Sequence, residues 1–181
     1  MSNEYLAAAY EGIDPHKTER LKGCAVRLSF KRKDLPSGKR DFKLAGAWFC
    51  RVRLCPMCSW RRSLKVAAQM DSIMNAIKAD RKTAYILVTL TVKNCLPEEL
   101  DQTITDVLTG FNRLTMYAEV AKATLGYYRA MEITHNLEED TYHPHIHAIF
   151  AVNPSYFTGR TYLSQNRWAE LWQRAAKLDY H

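Results

Sequence analysis

Three histidines fall at alternate positions in TYHPHIHAIFAV, residues 141 to 152, at the mouth of an apolar run. Side chains two apart on a strand project to one face, so His145 and His147 present two imidazoles together, a spacing that suits two ligands of one metal ion. The stretch GYYRAMEITHN reads as the preceding strand, joined to the next by the acidic loop LEED. With the turn centred near Glu138 and Glu139, Glu132 and His145 are equidistant from it, and directly opposed residues share a face. Two imidazoles and a carboxylate then converge with coordination positions left open, as at a catalytic divalent-metal site rather than a closed structural one. A slip of one residue turns Glu132 away. The competing reading is a pair of satisfied core or edge histidines. His143, before Pro144, reads as a turn residue or a contact behind the ligands, and His135 as facing solvent.

The cysteines offer a second site. Five of them, an odd number, argue against a disulfide framework. CRVRLCPMC holds Cys50, Cys55 and Cys58; a Cys-x-x-Cys turn lets two thiolates share one ion, and Zn²⁺ prefers four soft ligands in a tetrahedron. Cys24, in LKGCAVRLSF, opens a predicted strand whose hairpin partner, FKLAGAWFC, ends at Cys50, so pairing the strands brings Cys24 beside the cluster. The expectation is a structural zinc on Cys24, Cys50, Cys55 and Cys58, with buried or redox-active thiols as the alternative. Cys95, in VKNCLPEE, reads as an ordinary turn or core thiol.

The net charge of +7 is unevenly spread. Residues 1–16 carry three acids and no Lys or Arg, residues 17–65 fifteen basic residues against three acids, and residues 66–181 eleven against thirteen. Such a field points to a polyanion docking on one part of the molecule, against the alternative of a solvated basic face. KRKDLPSGKR lies on the proposed hairpin turn, with Pro36, Ser37 and Gly38 as turn chemistry. Lys31, Arg32, Lys33, Lys39 and Arg40 on the hairpin, and Arg51, Arg53, Arg61 and Arg62 around the cysteines, are the expected contacts to that polyanion, a nucleic acid being the class such a field suits. Trp48, Phe49 and Trp60 are interleaved with them and suit either base stacking or packing on the hairpin.

These residues need elements to hold them. A chain of 181 residues and 20.9 kDa suits one domain, or one with a small appendage. From Ser59 to about Lys78, Val66, Met70, Ile73, Met74 and Ile77 recur at helical spacing and are expected in a core. TAYILVTLTVK reads as a central strand. Pro97 opens a second helix striped by Leu100, Ile104, Val107, Leu108, Phe111 and Leu114, and LSQNRWAELWQRAAKL reads as a last one. The organisation predicted is an acidic, mobile arm over 1–16, a basic zinc-binding hairpin or knuckle over 17–65, and the main core over 66–181. Neither a run of eighteen apolar residues nor a basic n-region occurs, so no membrane span or secretory signal is read, and a cytoplasmic location is expected.

HPHIHAIF preceded by MEIT resembles the metal-binding motif of the HUH endonucleases, in which two histidines flank a hydrophobic residue. ILVTLTV matches the upstream strand motif of that superfamily. FCRVRLCPMCSWRR is similar to the cysteine segment of one branch, the rolling-circle replication initiator (Rep) proteins of small bacterial plasmids. The order of the three motifs also agrees, and the resemblance runs from about Lys22 to the end of the chain. It implies an α+β fold, a central antiparallel sheet of about five strands flanked by helices. It implies Mg²⁺ or Mn²⁺ held by His145, His147 and, as third ligand, Glu132. Thr89 and Thr91 fall in the strand motif as scaffolding.

The activity implied is nicking and joining of plasmid origin DNA, single-stranded or extruded as a hairpin, through a phosphotyrosine intermediate, with host helicase and replication proteins as partners in a bacterial cytoplasm. The family's nucleophilic tyrosine motif has no match here. AAKLDYH resembles the part before it, so the nucleophile is expected beyond His181. Tyr162 and Tyr180 are the in-chain candidates, although both read better as structural or surface residues. The alternative is a non-catalytic, zinc-dependent DNA-binding protein that recognises the origin or regulates, and a zinc-stabilised RNA-binding protein stands behind it.

Overall fold

The computed structural model describes residues 2–180 and divides them into two compact units, with the boundary between Asn75 and Ala76. No helix among the described residues is long and apolar enough to cross a membrane.

The first unit opens with α1 (Asn3–Tyr10) and α2 (Pro15–Lys22). Ser2 caps α1 by accepting from the Tyr5 N–H at 3.2 Å, and Asp14 caps α2 by accepting from the Lys17 N–H at 3.0 Å, with Pro15 in the first turn. The Lys17 N–H and ammonium hold the Asp14 carboxyl below its ordinary value. The acidic segment thus carries α1 and the start of α2. Glu4 and Glu11 stay exposed while Leu6 and Ala7 turn inward with Leu21 and Val52 around Cys24, Cys50, Cys55 and Cys58, so burial of one apolar helix face orders the acids with it.

The antiparallel hairpin of β1 (Leu28–Asp34) and β2 (Arg40–Ala47) follows, exposed along nearly its whole length, and α3 (Pro56–Asp80) runs across the boundary. The turn between the strands closes with the Gly38 N–H on the Leu35 carbonyl at 2.9 Å, and Gly38 has φ +76°, a conformation that costs glycine little. The apolar stripe of α3 is not the core face that its spacing predicts. Cys58 is its one buried residue, and Val66, Met70, Ile73, Met74 and Ile77 are half-buried or exposed.

The second unit is a three-stranded antiparallel sheet in the order β3 (Ala84–Thr91), β5 (Thr141–Val152), β4 (Thr124–Asn136). The class is α+β, as expected, but this central sheet has three strands among the described residues rather than about five, and the hairpin of β1 and β2 is a separate two-stranded sheet. The ribbon strands present no buried face that could extend a core sheet. In β5 burial alternates strictly, with Pro144, Ile146, Ala148, Phe150 and Val152 beneath α4 (Leu100–Met116) and α6 (Gln165–Ala176). Phe150 packs against Phe111 at 6.2 Å and Trp168 at 5.2 Å between ring centroids. Arg167 of α6 grips Glu119 of α5 (Ala118–Ala123) through two hydrogen bonds, 2.5 and 2.9 Å, and this holds the Glu119 carboxyl below its usual range. The Trp172 indole donates to the Thr91 carbonyl at 2.7 Å, tying α6 to the end of β3.

Helices α4 and α6 approach closely at Gly110, where an added Cβ would lie 2.9 Å from the Ala176 Cα. Helix propensity alone would favour alanine there by roughly 1 kcal/mol. The contact reverses the sign: Gly110→Ala is expected to destabilise the protein by about 1–3 kcal/mol, because backbone must move. Denaturant unfolding of the variant, with unchanged slope, measures this directly.

Candidate metal centres

The turn between β4 and β5 sets the geometry of the first centre. Asn136 Oδ1 accepts from the Glu138 and Glu139 N–H groups at 3.1 and 3.5 Å, and Asp140 takes φ +48°. Such an Asx-type turn fixes hairpin register. The register pairs Glu132 with His145 and Ala130 with His147, as equidistance from the turn predicts, and on the other side β3 pairs Thr91 with His145 and Thr89 with His147. Rows of directly opposed residues therefore cross the face that α4 and α6 leave open: Thr91, His145, Glu132, then Thr89, His147, Ala130.

Glu132 Oε2 lies 3.4 Å from His145 Nε2 and 3.1 Å from His147 Nε2. One ligand atom from each residue falls within 4.8 Å of the others, so the three could hold a metal ion. The opposite ring nitrogens are taken. His145 Nδ1 lies 3.1 Å from the His143 carbonyl, to which it donates, and His147 Nδ1 lies 3.1 Å from the Thr89 hydroxyl. Nδ1 of each ring is thus engaged within the sheet, and Nε2 of each ring faces Glu132. The chemistry of this donor set, two imidazoles and one carboxylate on an open face, fits a divalent cation with coordination positions to spare.

His143 is part of β5 rather than a turn residue, and it backs His145 through its carbonyl; its own Nε2 is buried without a protein partner among the described residues. His135 stacks on Tyr142 at 4.3 Å and contacts Asp140 at 2.8 Å, so it braces the turn. Tyr162 is exposed and packs on Tyr156, whereas the Tyr180 hydroxyl accepts from the Lys93 N–H at 2.7 Å beneath the Lys93 ammonium. Neither tyrosine is hydrogen-bonded to Glu132, His145 or His147 among the described residues.

The second centre brings Cys24, Cys50, Cys55 and Cys58 together, all buried. Sulfur separations are 3.5 Å for Cys24 to Cys55, 3.7 Å for Cys24 to Cys58 and 3.6 Å for Cys50 to Cys58. A tetrahedron with metal–sulfur bonds of about 2.3 Å has edges of about 3.8 Å, so this group could close on a zinc ion with little adjustment. Backbone N–H groups of Cys50, Arg51 and Val52 point at the sulfurs of Cys24, Cys58 and Cys50, at 3.4, 3.3 and 3.5 Å. Burial pushes the Cys24 and Cys50 thiols up. At Cys55 burial acts the same way, but the Cys58 N–H and the thiols around it outweigh burial and pull it below its ordinary value. Two supporting residues carried no signal in sequence: Asn3, whose amide meets the Cys55 sulfur at 3.3 Å, and Arg20, which donates to the Cys50 carbonyl.

Of the expected DNA contacts, Arg51, Arg61 and Arg62 line a cavity of about 920 Å³ beside the cysteines, together with Arg20, Trp48 and Lys65. Arg61 lies 3.7 Å over the Phe49 ring, so Phe49 is occupied by packing while Trp48 and Trp60 remain exposed. Arg53, Lys31, Arg32, Lys33, Lys39 and Arg40 are exposed.

The Thr89 hydroxyl has one evident task, to hold the His147 ring. Thr89→Val keeps the shape of the side chain and removes only that hydrogen bond, and Mn²⁺ affinity, read by titration calorimetry, is expected to fall about tenfold or more. Unchanged affinity would leave the hydroxyl without a role at the centre.

A family model described as replication protein matches residues 41–181. Among curated proteins, the chain is 47% identical over 175 residues to a "Protein rep" of Bacillus amyloliquefaciens, covering 97% of this chain and 50% of that protein. It is 43% identical over 165 residues to a "Protein rep" of Streptococcus pneumoniae serotype 2, covering 90% and 50%. A "Protein rep" of Staphylococcus aureus is 40% identical over 162 residues, covering 89% and 69%. The chain thus spans about half the length of the first two relatives. No solved structure matches it. With the family model covering most of the chain and relatives this similar along nearly all of it, the chain belongs to the Rep family of plasmid rolling-circle replication initiators.

Proposed function

We propose that this chain carries the metal-binding and DNA-docking parts of a nicking and joining endonuclease that initiates plasmid rolling-circle replication. The observation that carries the reading is the convergence of Glu132, His145 and His147 on an open sheet face, with both imidazoles anchored through Nδ1. A divalent cation there, Mg²⁺ or Mn²⁺, would supply Lewis-acid polarisation of a scissile phosphate oxygen. The chain's own residues do the positioning. Thr89 and the His143 carbonyl orient the rings, and Glu132 adds negative charge on the side of β4. The open face leaves room for a phosphodiester to approach in line with a nucleophile.

The tyrosine that attacks is assigned to the part of the protein beyond this chain. Packing of Tyr162 and the hydrogen bond of Tyr180 support structural roles for both. The basic residues of the first unit dock origin DNA, and a structural zinc on the four cysteines holds the loops that present them. The likeness to replication proteins of three bacteria supports a plasmid setting.

Two outcomes test this. In the intact protein, His147→Ala and His145→Ala should each abolish Mn²⁺-dependent cleavage of an origin oligonucleotide, a loss of about 10³-fold or more, while origin binding persists. Cleavage at the parent rate in either variant would refute the metal assignment and leave a DNA-binding protein without this chemistry. For the cysteines, elemental mass spectrometry should find one zinc per chain, and Cys55→Ser should release it. Chelation should then deprotect the backbone of α1, α2 and the cysteine loop in hydrogen exchange, because the apolar core there is small.

A further inference from the structure

The hairpin of β1 and β2 has an arrangement that its own stability does not explain. Its register opposes Phe30 to Leu44, Lys31 to Lys43, Arg32 to Phe42, Lys33 to Asp41 and Asp34 to Arg40. Directly opposed residues share a face, so the two faces differ in kind. One carries Phe30, Phe42 and Leu44 with Arg32 and Arg40, and on it lies the ribbon's one ion pair among the described residues, Arg32 to Asp34 at 3.2 Å. The other carries Lys31, Lys33 and Lys43 with one acid, Asp41 opposite Lys33, and none of the three lysines forms an ion pair among the described residues. Like charges directly opposed across a strand pair are destabilising, and a lone two-stranded hairpin is marginal in water to begin with. Yet Lys31 and Lys43 face each other at the middle of a ribbon that is exposed throughout.

The ribbon is also stiffened at both ends. At its root the register shifts by a bulge between Ser29 and Phe30, the Ser29 hydroxyl donates to the Gly46 carbonyl at 3.3 Å, and a Cβ at Gly46 would meet that hydroxyl oxygen at 2.7 Å. Bulges of this kind increase local twist and re-aim a strand. At its tip the Leu35 N–H donates to the Lys39 carbonyl at 2.9 Å. Leu44, on the apolar face, lines the cavity shared with Arg61, Arg62 and Lys65. The lysine face is thus left as a preformed surface of net positive charge, three lysines against Asp41, at the middle of a ribbon about 20–25 Å long and narrow enough for the major groove of B-form DNA, about 12 Å wide.

We propose that the β1–β2 ribbon is a duplex-reading arm that lies in the DNA major groove with Lys31, Lys33 and Lys43 against the DNA. It rests on the DNA-docking reading above and deepens it, since it fixes the form of DNA, the groove and the face, and it adds Lys43. The phosphates and guanine edges of the groove supply the negative potential that the opposed lysines lack within the protein. Double-stranded RNA is a poor fit, because its major groove is deep and too narrow for a ribbon.

The test uses the intact protein without added divalent cation, so that binding is measured apart from cleavage. Fluorescence anisotropy on a labelled origin duplex of about two to three helical turns is compared with the same sequence as a single strand. Lys31→Gln combined with Lys43→Gln should weaken duplex binding about ten- to a hundredfold near physiological salt and make the salt dependence shallower by about two ions, with a much smaller loss on the single strand. Lys31→Arg combined with Lys43→Arg keeps the charge and should retain duplex affinity, and zinc content equal to the parent's shows the unit is folded.

Three results would each overturn the proposal. Unchanged duplex affinity in the glutamine variant would make the lysines a solvated face that blocks strand-to-strand aggregation. Equal loss on duplex and single strand would reduce them to general electrostatic steering. RNA duplex held as tightly as DNA duplex would exclude the major groove. The nuclease reading fails separately, through persistent cleavage by His147→Ala.

Discussion

A slip of one residue between β5 and its neighbours would turn His145 and His147 into the core and Phe150 into water. The two-residue period of that strand is therefore the constraint on which the second unit depends. Its even-numbered residues, from Pro144 to Val152, supply the apolar surface that α4 and α6 cover. Its odd-numbered residues present the imidazoles on the opposite side. Each buried side chain on one face thereby enforces the placement of a histidine on the other, and the energy that fixes the site is mostly hydrophobic burial beneath it. The Asx turn at Asn136 and the Trp172 bond to the Thr91 carbonyl fix the two flanking strands against this central one.

Given that register, the orientation of the rings follows from neighbours that are themselves part of the sheet. A backbone carbonyl two residues back holds His145, and a hydroxyl on the facing strand holds His147. The carbonyl cannot move far without breaking strand pairing, and the hydroxyl sits on the residue paired directly with His147, so both Nε2 atoms are held towards Glu132. Their convergence on Glu132 needs no loop closure, and the site stays open on that face of the sheet.

The first unit solves a different problem. Leu6, Ala7, Leu21 and Val52 are too few to order two short helices, a cysteine loop and an exposed ribbon by burial alone. Four sulfurs already near tetrahedral spacing can replace a larger core by cross-linking the segments, with three backbone N–H groups offsetting the charge that thiolates would carry. Arg20 ties the same loop down through the Cys50 carbonyl.

What could be read from the sequence divides along the same physical line. Local period and turn position reveal which side chains share a face, so the pairing of Glu132 with His145, the approach of Cys24 to the cluster and the helices over 100–116 and 165–176 were all legible. Period does not reveal what covers a face. The stripe of α3 has core spacing and stays half-exposed, whereas the acidic first residues look unstructured and are held by Leu6 and Ala7. Lys43 was missed for a related reason, since its meaning lies in the residue opposite, which only strand register supplies. An apolar or charged face with correct periodicity and no cover is thus a statement about partners rather than an error in the fold. In this chain such faces are the ribbon, the histidine face of the sheet and the stripe of α3, and two of the three carry cationic or metal-ligating residue types.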